Sequence, residues 1–314
     1  MSLVTHDIMG HKRDKVQQAV DRFRAFEPPD GYYLAFSGGK DSQCIYHLAQ
    51  IAGVKFDAHY RVTSVDPPEL VRFIRSQYPD VSFDIPHDKD GKPISMWNLI
   101  PRKLMPPTRL VRYCCSELKE TGGMGRIVVT GVRKAESARR KVSNGVITMP
   151  NAKTARIAAE NGADFVETVR GGVILNLDND AERRTVEQCF RTSKTMLNPI
   201  VDWEDDDVWD FLNDVVRVPH CELYDQGYAR LGCIGCPMSY KRADELEHYP
   251  KYKVLYLKAF ERMLAERDRR GKTGAVHFTS PEAVMSWYLE ETPKSNAVDG
   301  QIDIDTIMEE MQRT

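Results

Sequence analysis

Six consecutive residues, Ser37, Gly38, Gly39, Lys40, Asp41 and Ser42, concentrate more chemistry than any other stretch of this 314-residue chain. Two adjacent glycines let a backbone bend close to a ligand. A helix starting just after them aims its unpaired N–H groups and the positive end of its dipole at the same point. Ser37 and Ser42 add hydroxyl donors and Lys40 a mobile positive charge. Asp41 adds a carboxylate able to cap the helix or to hold a magnesium ion beside phosphates. Together they make an anion cradle. The spacing is neither that of a Walker A loop nor that of a dinucleotide fingerprint. A bare Gly-Gly is most simply a strand-to-helix connection, but here six suitable residues fall together between an apolar run (31–36) and an amphipathic one (43–52).

The cysteines form a second concentration. Cys114 and Cys115 are adjacent, with Arg109, Arg112 and Lys119 nearby to favour thiolates, and Cys233 and Cys236 are spaced C-x-x-C among glycines that expose backbone N–H groups to the sulfurs. Four thiolates are a full ligand set for one metal centre. A local zinc site built from His220, Cys221, Cys233 and Cys236 competes with it, and a free thiol or redox pair is a third reading. Cys44 and Cys189 sit on apolar helical faces and read as core. Seven cysteines, with two close pairs, suit a reducing compartment better than a disulfide framework, and we expect a cytoplasmic protein.

A third stretch, Gly131-Val132-Arg133, follows the apolar run 126–130 and leads to Glu136, Ser137 and Arg140. An arginine's planar fork suits paired bonds to phosphate or sulfate; the alternative is a solvated basic loop.

These groups need elements to position them. Apolar runs at 31–36, 54–63, 81–85 and 126–133 alternate with helical patterns, which implies a mostly parallel, doubly wound α/β sheet with ligands at the carboxyl ends of its strands. Thr63 and Asp66 fall at such an end and are secondary candidates, although an Asp before Pro67-Pro68 is equally a turn residue. A leading helix is expected over 6–26. Residues 142–180, with turn signals at Asn144-Gly145, Asn161-Gly162 and Gly171-Gly172, suggest a hairpin-containing insertion. The acids at 204–207 are accounted for as partners of a helix dipole. After Pro237 the pattern is helical, and its aromatics are expected to pack rather than to stack on bases. We expect three parts: a leading helix (1–30), a nucleotide-binding α/β domain (31–203) and a helical C-terminal region (204–314).

Net charge is −2, yet residues 102–141 hold eleven Lys/Arg against three Asp/Glu, and residues 240–272 ten against six. Such a sector suits a polyanionic partner, whether nucleotide phosphates or nucleic acid. No stretch has the 18 to 20 uncharged apolar residues of a membrane helix, so no membrane partner is expected.

Ser-Gly-Gly-Lys-Asp-Ser resembles the PP-loop of the ATP pyrophosphatase superfamily, in the branch of adenylyl sulfate and phosphoadenylyl sulfate (PAPS) reductases and Dnd-type phosphorothioation sulfurtransferases. Gly-Val-Arg-x-x-Glu-Ser-x-x-Arg, Pro199-Ile200-x-x-Trp203 and the approach from His220 to Leu231 extend the likeness over roughly residues 30 to 240. The resemblance implies an adenine nucleotide alpha hydrolase-like fold that takes ATP, or adenylyl sulfate or PAPS, with Mg2+. Lys40, Asp41 and Arg133 would be catalytic. Ser37 to Ser42, Thr63, Asp66, Gly131, Arg133, Glu136, Ser137 and Arg140 would bind nucleotide. It also implies a 4Fe-4S cluster on Cys114, Cys115, Cys233 and Cys236, with Zn2+ as the alternative, and sulfur transfer to a nucleic acid or a small acceptor with a sulfur donor or desulfurase partner. The related reductases attack with a cysteine in a C-terminal tail. No cysteine follows Cys236 here, which disfavours reductase activity without an external thiol; a nucleotide- and cluster-binding regulatory module is the remaining alternative.

Overall fold

Tyr32, Leu34 and Phe36 alternate on one side of a five-residue strand and are almost wholly buried; the Tyr32 hydroxyl donates to Phe23 O at 2.7 Å, so the phenol enters the core with its polar atom satisfied. This strand stands near the middle of a larger sheet in the computed structural model, which describes residues 3–6, 12–150, 153–168, 171–192, 194–272 and 277–290. The strands are β1 (Val4–His6), β2 (Lys12–Asp14), β3 (Tyr32–Phe36), β4 (Phe56–Arg61), β5 (Ser82–Asp84), β6 (Ile127–Val129), β7 (Ile147–Met149), β8 (Phe165–Glu167), β9 (Val173–Leu175) and β10 (Thr195–Leu197). The helices are α1 (Lys15–Ala25), α2 (Lys40–Ala52), α3 (Pro68–Gln77), α4 (Met96–Lys103), α5 (Tyr113–Leu118), α6 (Ala138–Ser143), α7 (Thr154–Glu160), α8 (Asp180–Cys189), α9 (Asp205–Asp210), α10 (Arg242–His248), α11 (Pro250–Arg270) and α12 (Pro281–Glu290). Among the described residues, no helix is long and apolar enough to cross a membrane.

Two compact units result. The first comprises residues 1–62, 67–85 and 121–232, and the second residues 63–66, 86–120 and 233–314. Their bounds differ from the expected three parts: 204–232 belongs with the sheet, and 86–120 leaves it after β5. The reason is long-range packing, since α4 packs on α11, with Arg262 donating to Trp97 O at 2.6 Å and Arg267 to Leu104 O at 2.7 Å. Residues 291–314 of the expected C-terminal region lie outside the described residues.

In the first unit the sheet has the order β5-β4-β3-β6-β10-β7-β9-β8. β5, β4, β3, β6 and β10 run parallel, and β7, β9 and β8 extend them antiparallel. This is the expected doubly wound, mostly parallel α/β fold. The antiparallel β8–β9 pair supplies the hairpin expected within 142–180. The direction of winding reverses between β3 and β6: β4 and β5 lie on one side of β3, while β6 and β10 lie on the other. A crevice forms outside the carboxyl ends of strands at such a point. The leading helix is shorter than expected, because residues 12–14 pair antiparallel with 4–6 and Asp14 then caps α1 by accepting from Val16 N and Gln17 N. Arg22 of α1 pins it to the turn after β10, forking onto Asp202 at 2.7 and 3.0 Å and donating to Pro199 O at 2.7 Å.

The second unit has its own core, in which Leu99, Ile100, Tyr256, Phe260, Met263 and Tyr288 are fully buried. The aromatics of α11 that were expected to pack do so: Tyr256 meets Trp97 edge-on at 5.2 Å and Phe260 lies 5.9 Å from Tyr288.

Candidate functional site

β3 and β6, neighbours at the reversal, each deliver a loop to the same crevice. After β3 the chain turns through Ser37-Gly38-Gly39 into α2. Gly38 has φ +73, and a Cβ there would come within 2.6 Å of Ile74 Cγ1 and 2.7 Å of Leu70 Cδ1, so both conformation and space demand glycine. Gly39 is the N-cap in ordinary extended backbone. Ser42 Oγ donates to Gly39 O at 2.8 Å, and Ser37 Oγ donates to Ser42 Oγ at 3.2 Å, which ties the loop's two hydroxyls together. After β6, Gly131 lies directly under the start of α2: a Cβ there would meet Asp41 C and O at 2.9 Å. The second loop therefore packs against the first with no room for a side chain.

Arg133 closes the arrangement. Its side chain is only 2% exposed; Nε donates to Asp41 Oδ1 at 2.6 Å, Nη2 to Asp205 Oδ1 at 2.7 Å and Nη1 to Trp203 O at 3.2 Å. Lys40 Nζ reaches the same Asp205 oxygen at 2.5 Å and lies 5.9 Å over the Trp209 ring. Burial pushes the Asp41 carboxyl above its ordinary value, against the pull of the Arg133 and Lys40 cations. Asp205 is held below its ordinary value by hydrogen bonds from Lys40 and then Arg133. Asp41 does not cap α2; it sits in the first turn, bound to Arg133.

Lys40, Asp41 and Arg133 thus meet in one cluster with the loop. Glu136 accepts from Arg133 N at 3.0 Å and pairs with Arg140, and Ser137 caps α6 by accepting from Arg140 N at 3.2 Å. Two residues were not singled out from the sequence. Asp205 had a sufficient local explanation as a first-turn acid, and its role becomes visible only when a crossing of 165 residues brings Lys40 to it. Tyr224 Oη accepts from Lys40 N at 2.9 Å, a contact that only the fold creates.

Thr63 and Asp66 belong to the second unit. There Thr63 N donates to Asp66 Oδ2 at 3.1 Å, and the Cys233 sulfur lies 3.6 Å from Thr63 Oγ1 and 3.9 Å from Asp66 Oδ1. Cys114, Cys115, Cys233 and Cys236 all fall in this unit, although 117 residues separate Cys115 from Cys233 in sequence. α5 carries the first pair, and Ile234 N donates to Val65 O at 2.7 Å to anchor the second. A hydrogen bond between Cys114 and Cys115 lowers the Cys115 thiol and raises that of Cys114, whose pKa is lifted further by burial and by the charges of Cys115, Cys233 and Cys236. Burial pushes the Cys233 thiol up to about 11, against the Lys119 ammonium. Among the described residues, however, no three His, Cys, Asp or Glu side chains are gathered into a metal-holding group. His220 and Cys221, members of the alternative zinc set, lie in the first unit. His220 Nε2 pairs with Asp225 at 2.9 Å, and Cys221 is fully buried, its thiol raised by that burial.

The crevice and its loop define an α/β protein of the PP-loop class. Residues 31–239 match the phosphoadenosine phosphosulfate reductase domain, and the chain belongs to that family. Short segments align with curated relatives. The adenosine 5'-phosphosulfate reductase of Oceanobacillus iheyensis is 45% identical over 38 residues, 12% of this chain and 15% of the relative. An uncharacterized protein of Methanocaldococcus jannaschii is 42% identical over 60 residues, 18% of this chain and 14% of the relative. The chain thus spans about one seventh of the length of these relatives. Among solved structures, Candida glabrata FMN adenylyltransferase shares 17% identity at a TM-score of 0.39, covering 70% of this chain and 61% of its own. Candida auris phosphoadenylyl-sulfate reductase, in complex with phosphate, shares 16% at 0.39, covering 69% and 87%.

Proposed function

We propose that the loop binds the phosphates of an adenine nucleotide and that the protein is an adenylating enzyme, cleaving ATP to AMP and pyrophosphate on the way to sulfur transfer. The observation that carries this reading is the pairing at the sheet's reversal: a glycine-bent loop opening α2 beside Lys40 and the buried Arg133. An acceptor oxygen would attack the α-phosphorus as the bridging bond to the β-phosphate breaks, and pyrophosphate would leave with the bonding electrons. The protein's part is positioning and charge stabilisation by loop N–H groups, Ser37, Ser42 and Lys40, with no protein nucleophile required. Arg133, fixed by two carboxylates, orients Asp41 as much as it contributes charge. Asp41, 28% exposed, retains access to solvent and fits a magnesium ion carried with the triphosphate.

The second unit's donor set supports an iron–sulfur cluster by ligand chemistry alone: two adjacent cysteines and a C-x-x-C pair in one unit, with Lys119 placed to offset thiolate charge at Cys233. Cys114, Cys115, Cys233 and Cys236 would hold it. Such a cluster supplies electron or sulfur chemistry when bound. The acceptor class proposed is nucleic acid or a small molecule, in keeping with the basic sector of 102–141.

The test is pyrophosphate release from Mg-ATP by anaerobically purified protein, with and without cellular DNA or RNA, beside a Ser37→Ala/Ser42→Ala control. Release that the control loses supports adenylation, and stimulation by one nucleic acid identifies the acceptor. Turnover of adenylyl sulfate with an external thiol, and none of ATP, would replace this reading by the reductase.

A further inference from the structure

The cradle's donors are occupied by the protein itself. Lys40 N–H, an amide at the start of α2 that would face a bound phosphate, donates to Tyr224 Oη at 2.9 Å. Lys40 Nζ and Arg133 Nη2 converge on a single oxygen, Asp205 Oδ1, at 2.5 and 2.7 Å. One anionic oxygen held by a lysine and an arginine, with a further oxygen on a loop amide, is the set of contacts a phosphate group would make. Both substitutes come from residues 205–224, and Trp209 lies between them. Its ring is 5.9 Å below Lys40 Nζ and meets the Tyr224 ring edge-on at 5.0 Å.

The exposures say which partner can move. The cations are fixed, with side chains 2% exposed for Arg133 and 10% for Lys40, while that of Asp205 is 68% exposed. The Asp205 carboxylate already faces water and can swing into it, whereas Arg133 is enclosed and stays held by Asp41 and Trp203 O. Tyr224 stands on a turn that passes through Gly227, at φ +86, where nothing lies within 4 Å of a would-be Cβ.

We propose that Asp205 and Tyr224 form a latch that mimics phosphate, and that a nucleotide must displace both to enter the cradle. The inference rests on the nucleotide reading of the loop. The latch keeps two buried cations satisfied in the empty protein and lowers the apparent affinity for any ligand by the stability of the closed form. A ligand with several anionic oxygens replaces the lost contacts, whereas one with a single weak acceptor does not. The latch therefore favours a polyphosphate over a nucleoside.

The test is a titration with α,β-methylene-ATP and magnesium, which cannot be cleaved at the bond in question, followed by tryptophan fluorescence and calorimetry. Wild type, Tyr224→Phe and Asp205→Asn are compared, with Trp209→Phe to assign the optical signal. The latch predicts tighter binding in both latch variants, by about fivefold for Tyr224→Phe, or about 1 kcal/mol. It also predicts a fluorescence change on binding that Trp209→Phe abolishes while still binding by calorimetry. Equal or weaker binding in both latch variants would assign Asp205 and Tyr224 to structural support and overturn the latch, leaving the nucleotide site intact. No binding by wild type would overturn the nucleotide reading and the latch together.

Discussion

At the scale of single residues, the two glycines of the loop should differ sharply. Gly38→Ala forces a side chain into left-handed backbone and against Ile74 and Leu70. Strain and overpacking together cost about 2–4 kcal/mol. At Gly39 a Cβ meets only Tyr224 Oη at 3.4 Å and Ser37 Oγ at 3.5 Å, so Gly39→Ala should cost only what alanine loses as an N-cap, about 1 kcal/mol or less. Urea unfolding of the two variants measures the contrast; similar losses would mean that the loop geometry is wrong. Asp205 gives a pH prediction. Its folded pKa lies below the unfolded value of about 3.9, so its stabilisation is complete above that value and is lost as pH falls through the folded one. Because the carboxylate is largely exposed, the effect is at most about 1 kcal/mol. Asp205→Asn should lower stability in the neutral region by up to that amount and flatten the acid limb, so that the two proteins converge below about pH 4. These two residues also show what is readable in isolation. Gly38 was legible because its demand is local, whereas Asp205 was not, because a first-turn acid already has a helix-dipole role and Lys40 lies 165 residues away.

At the scale of elements, the site depends on β3 and β6 being neighbours, which sets α2 on Gly131 and brings Arg133 to Asp41. The strand–loop–helix order was visible in apolar periodicity. The neighbour relation was not, since β6 follows β3 only after two intervening strands and the excursion of 86–120. The short ladder of β1 and β2 was missed because three-residue strands carry too little alternation to read. On this scale the Arg22 fork is the joint that fixes α1. Arg22 is buried and engages both Asp202 oxygens as well as Pro199 O. Arg22→Ala removes the fork from Asp202 and Pro199 O and, with the Asp202 side chain 30% exposed, should cost about 1–3 kcal/mol by urea or thermal unfolding. A loss below about 1 kcal/mol would show that the fork adds no more than a surface pair.

At the scale of the whole molecule, the sheet-bearing unit holds the loop proposed to bind phosphate and the second unit holds Cys114, Cys115, Cys233 and Cys236. The two cysteine pairs were legible by their spacing; that they share one unit, because 86–120 belongs with 233–290, was not, since helix-on-helix packing between distant segments leaves no local mark. Anaerobic protein should carry iron and acid-labile sulfide, about four of each per chain. Cys114→Ser or Cys236→Ser should lose them, while Cys44→Ser, at a fully buried core position, should not. Zinc alone, at one per chain, would replace the cluster by the other metal. The central claim, an adenine nucleotide held by the loop, is tested most directly by equilibrium binding of ATP with magnesium to wild type and to Lys40→Ala/Ser42→Ala. Saturable binding that the double variant weakens by about tenfold or more is the predicted result. No saturable binding by the wild type, or equal binding by both proteins, would contradict it.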